Sequence, residues 1–146
     1  MKLSIPSGTV PSMTTYQGSC HCKAVQFEVT LDELTRGSRC NCSICTKLGR
    51  FGVKGGADAV RVTRGEDKLS AFAPKTGHAE YLFCSLCGAH PFARMNVPEM
   101  GGACTSININ CLDGIDPATL ECGYWDGRHD NWKAGMRARP WPHRAT

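Results

Sequence analysis

The stretch Gly18-Ser19-Cys20-His21-Cys22-Lys23-Ala24-Val25-Gln26-Phe27-Glu28-Val29 joins a two-cysteine clip directly to a run in which apolar and polar residues alternate. The clip brings two thiolates within reach of one ion, and the alternation is that of a half-buried β-strand. Two more clusters follow, Cys40-x-Cys42-x-x-Cys45 and Cys84-x-x-Cys87, so seven of the ten cysteines stand in tight groups. Two clips from distant parts of a chain complete the closed tetrahedron of structural zinc, and seven sulfurs divide into four plus three. An ion held by three protein ligands keeps its fourth position for water, a thiol or a substrate.

Spacing alone leaves the pairing open. Cys20, Cys22, Cys84 and Cys87 can form one site and leave Cys40, Cys42 and Cys45 together, or the first two clusters can combine. A histidine can also complete the triplet; His21, His78, His90 and Cys104 are the candidate fourth ligands. The competing use of ten cysteines is a disulfide framework. Met1 to Gln17 carries a single basic residue and is broken by Pro6, Gly8 and Pro11, so no secretory signal is read there. A cytoplasmic chain with reduced, metal-binding cysteines is therefore expected. No apolar run approaches the roughly 18 residues of a membrane span, so a soluble chain with no membrane partner is expected as well.

A chain of 146 residues fits one domain, and 41% hydrophobic with 21% charged residues is a globular composition. The formal charge of +4 is modest, and only Arg137, Arg139 and Arg144 gather at one end. With no basic run and no recognisable reading helix, a nucleic-acid partner is not expected. The organisation read from the sequence is an N-terminal extension over residues 1–15, a zinc domain over 16–135 and a basic, solvated C-terminal tail over 136–146.

Short β-type runs dominate the rest. Val25–Val29 and Ala59–Thr63 alternate, and Arg64-Gly65-Glu66-Asp67 reads as a turn. Leu69–Ala73, Ala79–Phe83, Pro91–Val97 and Thr105–Cys111 are further strand candidates. Two segments invite a helix: Ser43–Leu48 inside the triplet, and Asp116–Leu120, where Asp precedes Pro at a natural helix start. The class is mainly β.

Three segments together resemble the glutathione-dependent formaldehyde-activating enzyme family. They are Gly18–Val29, Arg39-Cys40-Asn41-Cys42-Ser43-Ile44-Cys45-Thr46-Lys47-Leu48-Gly49 and Tyr81-Leu82-Phe83-Cys84-Ser85-Leu86-Cys87-Gly88-Ala89-His90. Asn108–Asp113 and Asp126-Gly127-Arg128 to Asn131-Trp132 are similar to the branch that includes the centromere protein V domain. The resemblance implies an Mss4-like, mainly antiparallel β fold with two cysteine-ligated zinc sites. It implies that Cys20, Cys22, Cys84 and Cys87 are structural zinc ligands, and that Cys40, Cys42 and Cys45 are the catalytic ones. It further implies two zinc ions per chain, glutathione as co-substrate and a carbon–sulfur lyase or synthase reaction giving S-(hydroxymethyl)glutathione. The alternative is a non-catalytic, zinc-stabilised binding module.

The chemistry of the donor set points the same way. Zinc deprotonates a coordinated thiol, and three anionic sulfurs favour a thiolate nucleophile over strong polarisation of water. Small-molecule thiol and aldehyde partners are expected. Lys47 and Arg50, just after the triplet, are candidates to pair with a glutathione carboxylate. His90 is a candidate proton shuttle or a packed structural residue. Trp125, Trp132 and Trp141 are expected in the core, with a pocket lid as the alternative, Cys111 as a small buried hydrophobe, and Cys104 in a loop.

Overall fold

The computed structural model describes residues 13–75, 77–98 and 101–144. The first strand, β1 (Met13–Ser19), pairs antiparallel with β2 (Gln26–Asp32), which pairs with β5 (Val60–Arg64) in a three-stranded sheet. The second sheet has seven strands: β10 (Glu121–Trp125), β3 (Arg36–Cys40), β4 (Gly52–Gly55), β9 (Gly102–Asn108), β8 (Phe92–Val97), β7 (Ala79–Cys84) and β6 (Leu69–Phe72), in that spatial order. Every pair is antiparallel except β3 with β10. The chain is mainly β, with a single short α-helix, α1 (Ser43–Leu48), among the described residues.

Alternation in β2 sets the core. Phe27, Val29 and Leu31 turn one face of the strand inward, where they meet Phe51, Ile107, Ile109 and Leu112 of the second sheet. The Phe27 and Phe92 rings pack tilted with centroids 5.7 Å apart, a favourable edge-on arrangement. Gly18 stands directly across from Phe27, and a Cβ on it would lie 2.2 Å from the ring. That glycine is what lets a large aromatic fill the space between the first clip and the sheet.

The cysteine clusters occupy the connections. Cys20 and Cys22 lie in the β1–β2 turn, Cys84 and Cys87 in the β7–β8 turn, and Cys40, Cys42 and Cys45 at the β3–α1 junction. Helix α1 ends at Gly49, whose φ of +63° is the left-handed cap that glycine adopts without strain.

Four strands carry no clear alternation in sequence: β1, β3, β4 and β10. Burial in β3 and β10 is patchy, and Gly37 and Gly123 stand where an apolar side chain would have marked an inward position. A Cβ at Gly37 would strike Phe51 and Ile109 at 2.5–2.6 Å, so the inward position has no room for one. The run expected to continue to Cys111 stops at Asn108, whose side chain accepts from the Asn110 amide and starts a 3-10 turn over Ile109–Cys111. The helix expected over Asp116–Leu120 is one 3-10 turn, Pro117–Thr119, with the Asp116 carboxylate accepting from Ala118 N at 3.0 Å.

The basic tail is mostly exposed yet tied to β10. Arg137 and Tyr124 exchange two backbone hydrogen bonds, at 2.9 and 3.1 Å, extending the edge of β10. The Trp141 indole donates to Tyr124 O at 2.9 Å, and Pro142 O accepts from Asn41 Nδ2 at 3.3 Å. The Arg137 guanidinium caps the Trp141 ring at 3.7 Å while donating to Arg139 O and Pro140 O. At the other end, residues 1–12 of the expected N-terminal extension lie outside the described residues, and Met13–Thr15 belong to β1.

Removing the central ring of this core should show directly in stability. Phe27→Ala, at a fully buried position, is expected to lower the unfolding free energy by about 3–5 kcal/mol, read as a reduced denaturant midpoint at unchanged slope.

Candidate functional site

The structure resolves the pairing of the clips. The sulfurs of Cys20, Cys22, Cys84 and Cys87 all lie within 4.8 Å of one another, and those of Cys40, Cys42 and Cys45 do so separately. Cys20 Sγ is 3.6 Å from Cys22 Sγ, and Cys22 Sγ is 3.8 Å from Cys84 Sγ. Zinc–sulfur bonds of roughly 2.3 Å give a tetrahedral edge of about 3.8 Å, so the four sulfurs stand at the spacing zinc requires. All ten cysteines are free thiols. The donor set fits the ion in both clusters: one is closed by four sulfurs, the other has three.

The closed cluster is built by two tight knuckles. The Cys20 carbonyl accepts from Lys23 N at 3.2 Å, and Lys23 holds a φ of +68° to make the turn. Gly88 N donates to Cys84 O at 2.8 Å in the second knuckle. Cys20 and Cys84 are buried among Val25, Leu69 and Ala89, whereas Cys22 is exposed.

The open triplet is assembled from β3 and α1, and the loop after β10 is pressed against it. Cys42 stands at the N-cap of α1, one turn before Cys45. Hydrogen bonds from the Cys40 and Cys45 thiols, then the amides of Cys45 and Ile44, push the Cys42 thiol down to about 2. The Cys45 thiol is pushed far up by its bonds to Cys40 and Cys42, with burial and the Cys42 charge adding to them. Three thiolates this close repel one another, so a cation among them favours their ionising together.

Asn41, between two of these cysteines, ties the triplet to the following loop. It is buried, donates to the buried Asp126 carboxylate at 2.8 Å and accepts from Arg128 N at 2.9 Å. Asp126 also accepts from His129 Nδ1 at 2.7 Å and Asn131 Nδ2 at 3.2 Å. Gly127 passes so close to Cys40 that a Cβ there would lie 2.5 Å from its sulfur.

A cavity of about 230 Å³ opens beside Cys40 and Cys45, walled by Arg39, Arg50, Trp125, Trp141 and His143 among others. Among the described residues no carboxylate lines it. It is smaller than the roughly 300–1,000 Å³ of pockets that enclose a drug-sized ligand, so a tripeptide would place only part of itself inside. Trp125 and Trp141 are half-buried walls, and Trp132 is 48% exposed with its ring 5.9 Å from that of Trp125. The tryptophans therefore frame the site instead of filling the core. Tail residues reach this cavity because Arg137 and Trp141 pin the tail to Tyr124, a long-range contact that tail composition does not signal.

The two cations expected to meet a substrate carboxylate separate. Lys47 is exposed on α1 and does not line the cavity. Arg50 lines it but is itself buried, and its Nε donates to His90 Nε2 at 3.1 Å. Arg39, which sequence reasoning passed over, also lines the cavity; it lies 5.2 Å from the Phe51 ring centroid and is the freer of the two arginines. His90 is buried with both nitrogens engaged, since Nδ1 is 2.6 Å from Leu82 O and can only donate there. It is a packed residue holding Arg50, not a shuttle open to substrate. His21, His78, His90 and Cys104 do not join the triplet among the described residues; Cys104 is buried in β9. Cys111 is half-buried in its 3-10 turn, with its thiol pushed up to about 11 by burial.

This chain belongs to the glutathione-dependent formaldehyde-activating enzyme family, whose profile matches residues 15–126. A protein of Halomonas elongata named "Putative glutathione-dependent formaldehyde-activating enzyme" is 33% identical over 99 residues, covering 53% of this chain and 62% of that protein. The chain thus spans about three fifths of that relative's length. A crystal structure of a Rhodobacter sphaeroides protein is similar in fold with a TM-score of 0.63 at 29% identity, covering 70% of this chain and 92% of that one. No helix among the described residues is long and apolar enough to cross a membrane.

Burial of His90 makes stability depend on pH in a predictable direction. Burial lowers it from 6.5 to about 4, offset in part by the bond to Leu82 and reinforced by the Arg50 charge. A folded-state value below the unfolded one contributes stability that is complete above pH 6.5 and is lost as pH falls towards 4. For this shift the loss is roughly 3 kcal/mol. Urea unfolding of the metal-loaded chain between pH 7 and 4.5 is expected to fall more steeply than that of His90→Gln, which lacks the titrating ring.

Proposed function

We propose that the chain binds zinc at both clusters and joins a small thiol to an aldehyde at the open one, acting as a carbon–sulfur lyase or synthase on an adduct such as S-(hydroxymethyl)glutathione. The observation that carries this reading is a three-sulfur cluster two of whose cysteines, Cys40 and Cys45, line a cavity with two arginines and a histidine, with no acid among the described lining residues. Cys20, Cys22, Cys84 and Cys87 would hold the structural ion, and Cys40, Cys42 and Cys45 the reactive one. Bound there, zinc supplies the Lewis acidity that keeps a thiol ionised at neutral pH.

The chain's own residues do the rest. Arg39 presents a guanidinium to a carboxylate of the thiol, a pairing that is strong when bidentate. The Trp125 and Trp141 walls exclude water from the reacting sulfur. Because the cavity takes only part of a tripeptide, the side chain of the central cysteinyl residue enters and the flanking residues lie along the surface beyond it. In the forward direction the sulfur–hydrogen bond of the thiol breaks, a carbon–sulfur bond forms, and the carbonyl π-pair moves to oxygen. That oxygen gains the proton the thiol released, and His143 is placed on the cavity wall to pass it. The reverse order cleaves the adduct.

Calorimetric titration of glutathione into the zinc-loaded chain tests the assignment. Binding is expected, weakened about 10-fold or more in Arg39→Gln from loss of a charged hydrogen bond, and abolished in Cys42→Ala. Equal glutathione binding in the wild type and Cys42→Ala would remove the thiol from the open cluster. No binding in the wild type would turn the reading towards a zinc-stabilised binding module.

A further inference from the structure

Arg50 is out of place for a surface cation. Its side chain is 7% exposed, and among the described residues no carboxylate pairs with it. A buried charge without an opposite charge is costly, and charged residues are fully buried almost only when paired. Every partner the structure gives the guanidinium is neutral. Nε donates to His90 Nε2, and Nη2 donates to Ser106 Oγ at 2.7 Å and Ser106 O at 3.2 Å. The Tyr81 ring lies 5.9 Å from its centre.

Those partners fix its direction. Donation from His90 Nδ1 to Leu82 O leaves Nε2 as an acceptor, so the imidazole is neutral and shaped to receive Arg50. Asn108 Nδ2 donates to His90 O at 2.8 Å and pins that backbone. On the other side, Arg50 follows α1 directly, its amide donating to Cys45 O at 3.3 Å, and its side chain walls the same cavity as Cys40 and Cys45. The groups that can carry negative charge on that cavity are the cluster sulfurs and the Tyr124 phenol.

We propose that Arg50 is the built-in counter-charge of the Cys40, Cys42 and Cys45 cluster, aimed by neutral His90 and by Ser106, so that three thiolates can hold zinc in a half-buried setting. The inference rests on the reading that this cluster binds zinc. Three thiolates on a doubly charged ion leave one net negative charge, which one guanidinium balances. An incoming thiolate then meets a neutral assembly instead of a negative one. Arg50 is accordingly a positioning and charge-balancing residue, while the substrate carboxylate falls to Arg39. Lysine would retain the charge but lose the fork that reaches His90 and Ser106 at once.

The test counts zinc per chain in full-length protein loaded with Zn2+ alone and then challenged with graded amounts of a competing chelator. The wild type is expected to hold two ions. Arg50→Gln is expected to keep the closed-cluster ion, which also reports folding, and to release the open-cluster ion at about 10–100-fold lower chelator, the usual cost of losing a partner beyond the ligands themselves. Arg50→Lys is expected to stay within a few-fold of the wild type. Equal retention of the second ion in Arg50→Gln would overturn the proposal, as would Arg50→Lys losing it as readily as Arg50→Gln. Should Arg50→Gln fail to fold, Ser106→Ala decides: loosening one anchor is expected to weaken the second ion several-fold, and unchanged retention overturns the inference. A wild type that takes only one ion removes the open zinc site itself, an outcome distinct from failure of the counter-charge.

Discussion

The convergence of four sulfurs from two distant turns is the constraint on which the rest of this structure depends. Cys20 and Cys22 belong to the turn that launches the three-stranded sheet, and Cys84 and Cys87 to a turn of the seven-stranded one. An ion held at that point would clamp the sheets beside the Phe27 and Phe92 rings. A chain with 16 glycines and a core of short strands has a limited apolar interior, and in small domains metal binding adds directly to folding free energy. Such a clamp would fix β7 and β8, hence β9, and through β9 the strand β4 that follows the open cluster.

At the open cluster the governing effect is charge. Three sulfurs within 4.8 Å cannot all be ionised without compensation, and the fold surrounds them with the means of compensating. Helix α1 presents amides to Cys42, Asn41 and Gly127 seat Cys40 against the loop after β10, and Arg50 brings a guanidinium from within. None of these groups occupies the fourth position of a tetrahedron. On the proposed reading, three sulfur ligands would leave zinc a position for a thiol that arrives, reacts and leaves, whereas four would not.

Much of this was legible in the sequence, for a physical reason. Metal ligands must be close along the chain to be entropically cheap to assemble, so the clips at Cys20, Cys40 and Cys84 announce themselves, as do strands whose alternation reports burial, such as β2 and β5. The pairing of clips became visible from the resemblance of three motifs in order, and the sulfur positions agree with it. What escaped the sequence is what depends on long-range packing. Strands β3, β4 and β10 pack through glycines at Gly37, Gly52 and Gly123, so their inward faces lack an apolar signature. Arg39 sits one residue before the triplet, yet its access to the cavity depends on where β10 and the tail lie. Lys47 is as near in sequence and turns to solvent. The tail's attachment to Tyr124 rests on Arg137 and Trp141, a long-range contact that its charge does not report.

The central claim is that two sulfur sites coexist in one chain, one closed and one with a position for a thiol. Zinc K-edge X-ray absorption of the doubly loaded protein, with and without glutathione, tests it most directly. Four sulfurs on one ion and three on the other average to about 3.5 per zinc at roughly 2.3 Å, with the remainder from a lighter atom. Glutathione should raise that average to about 4 as the lighter ligand disappears. A shell that already holds four sulfurs per zinc and does not change with glutathione, or one dominated by nitrogen and oxygen, would contradict the account.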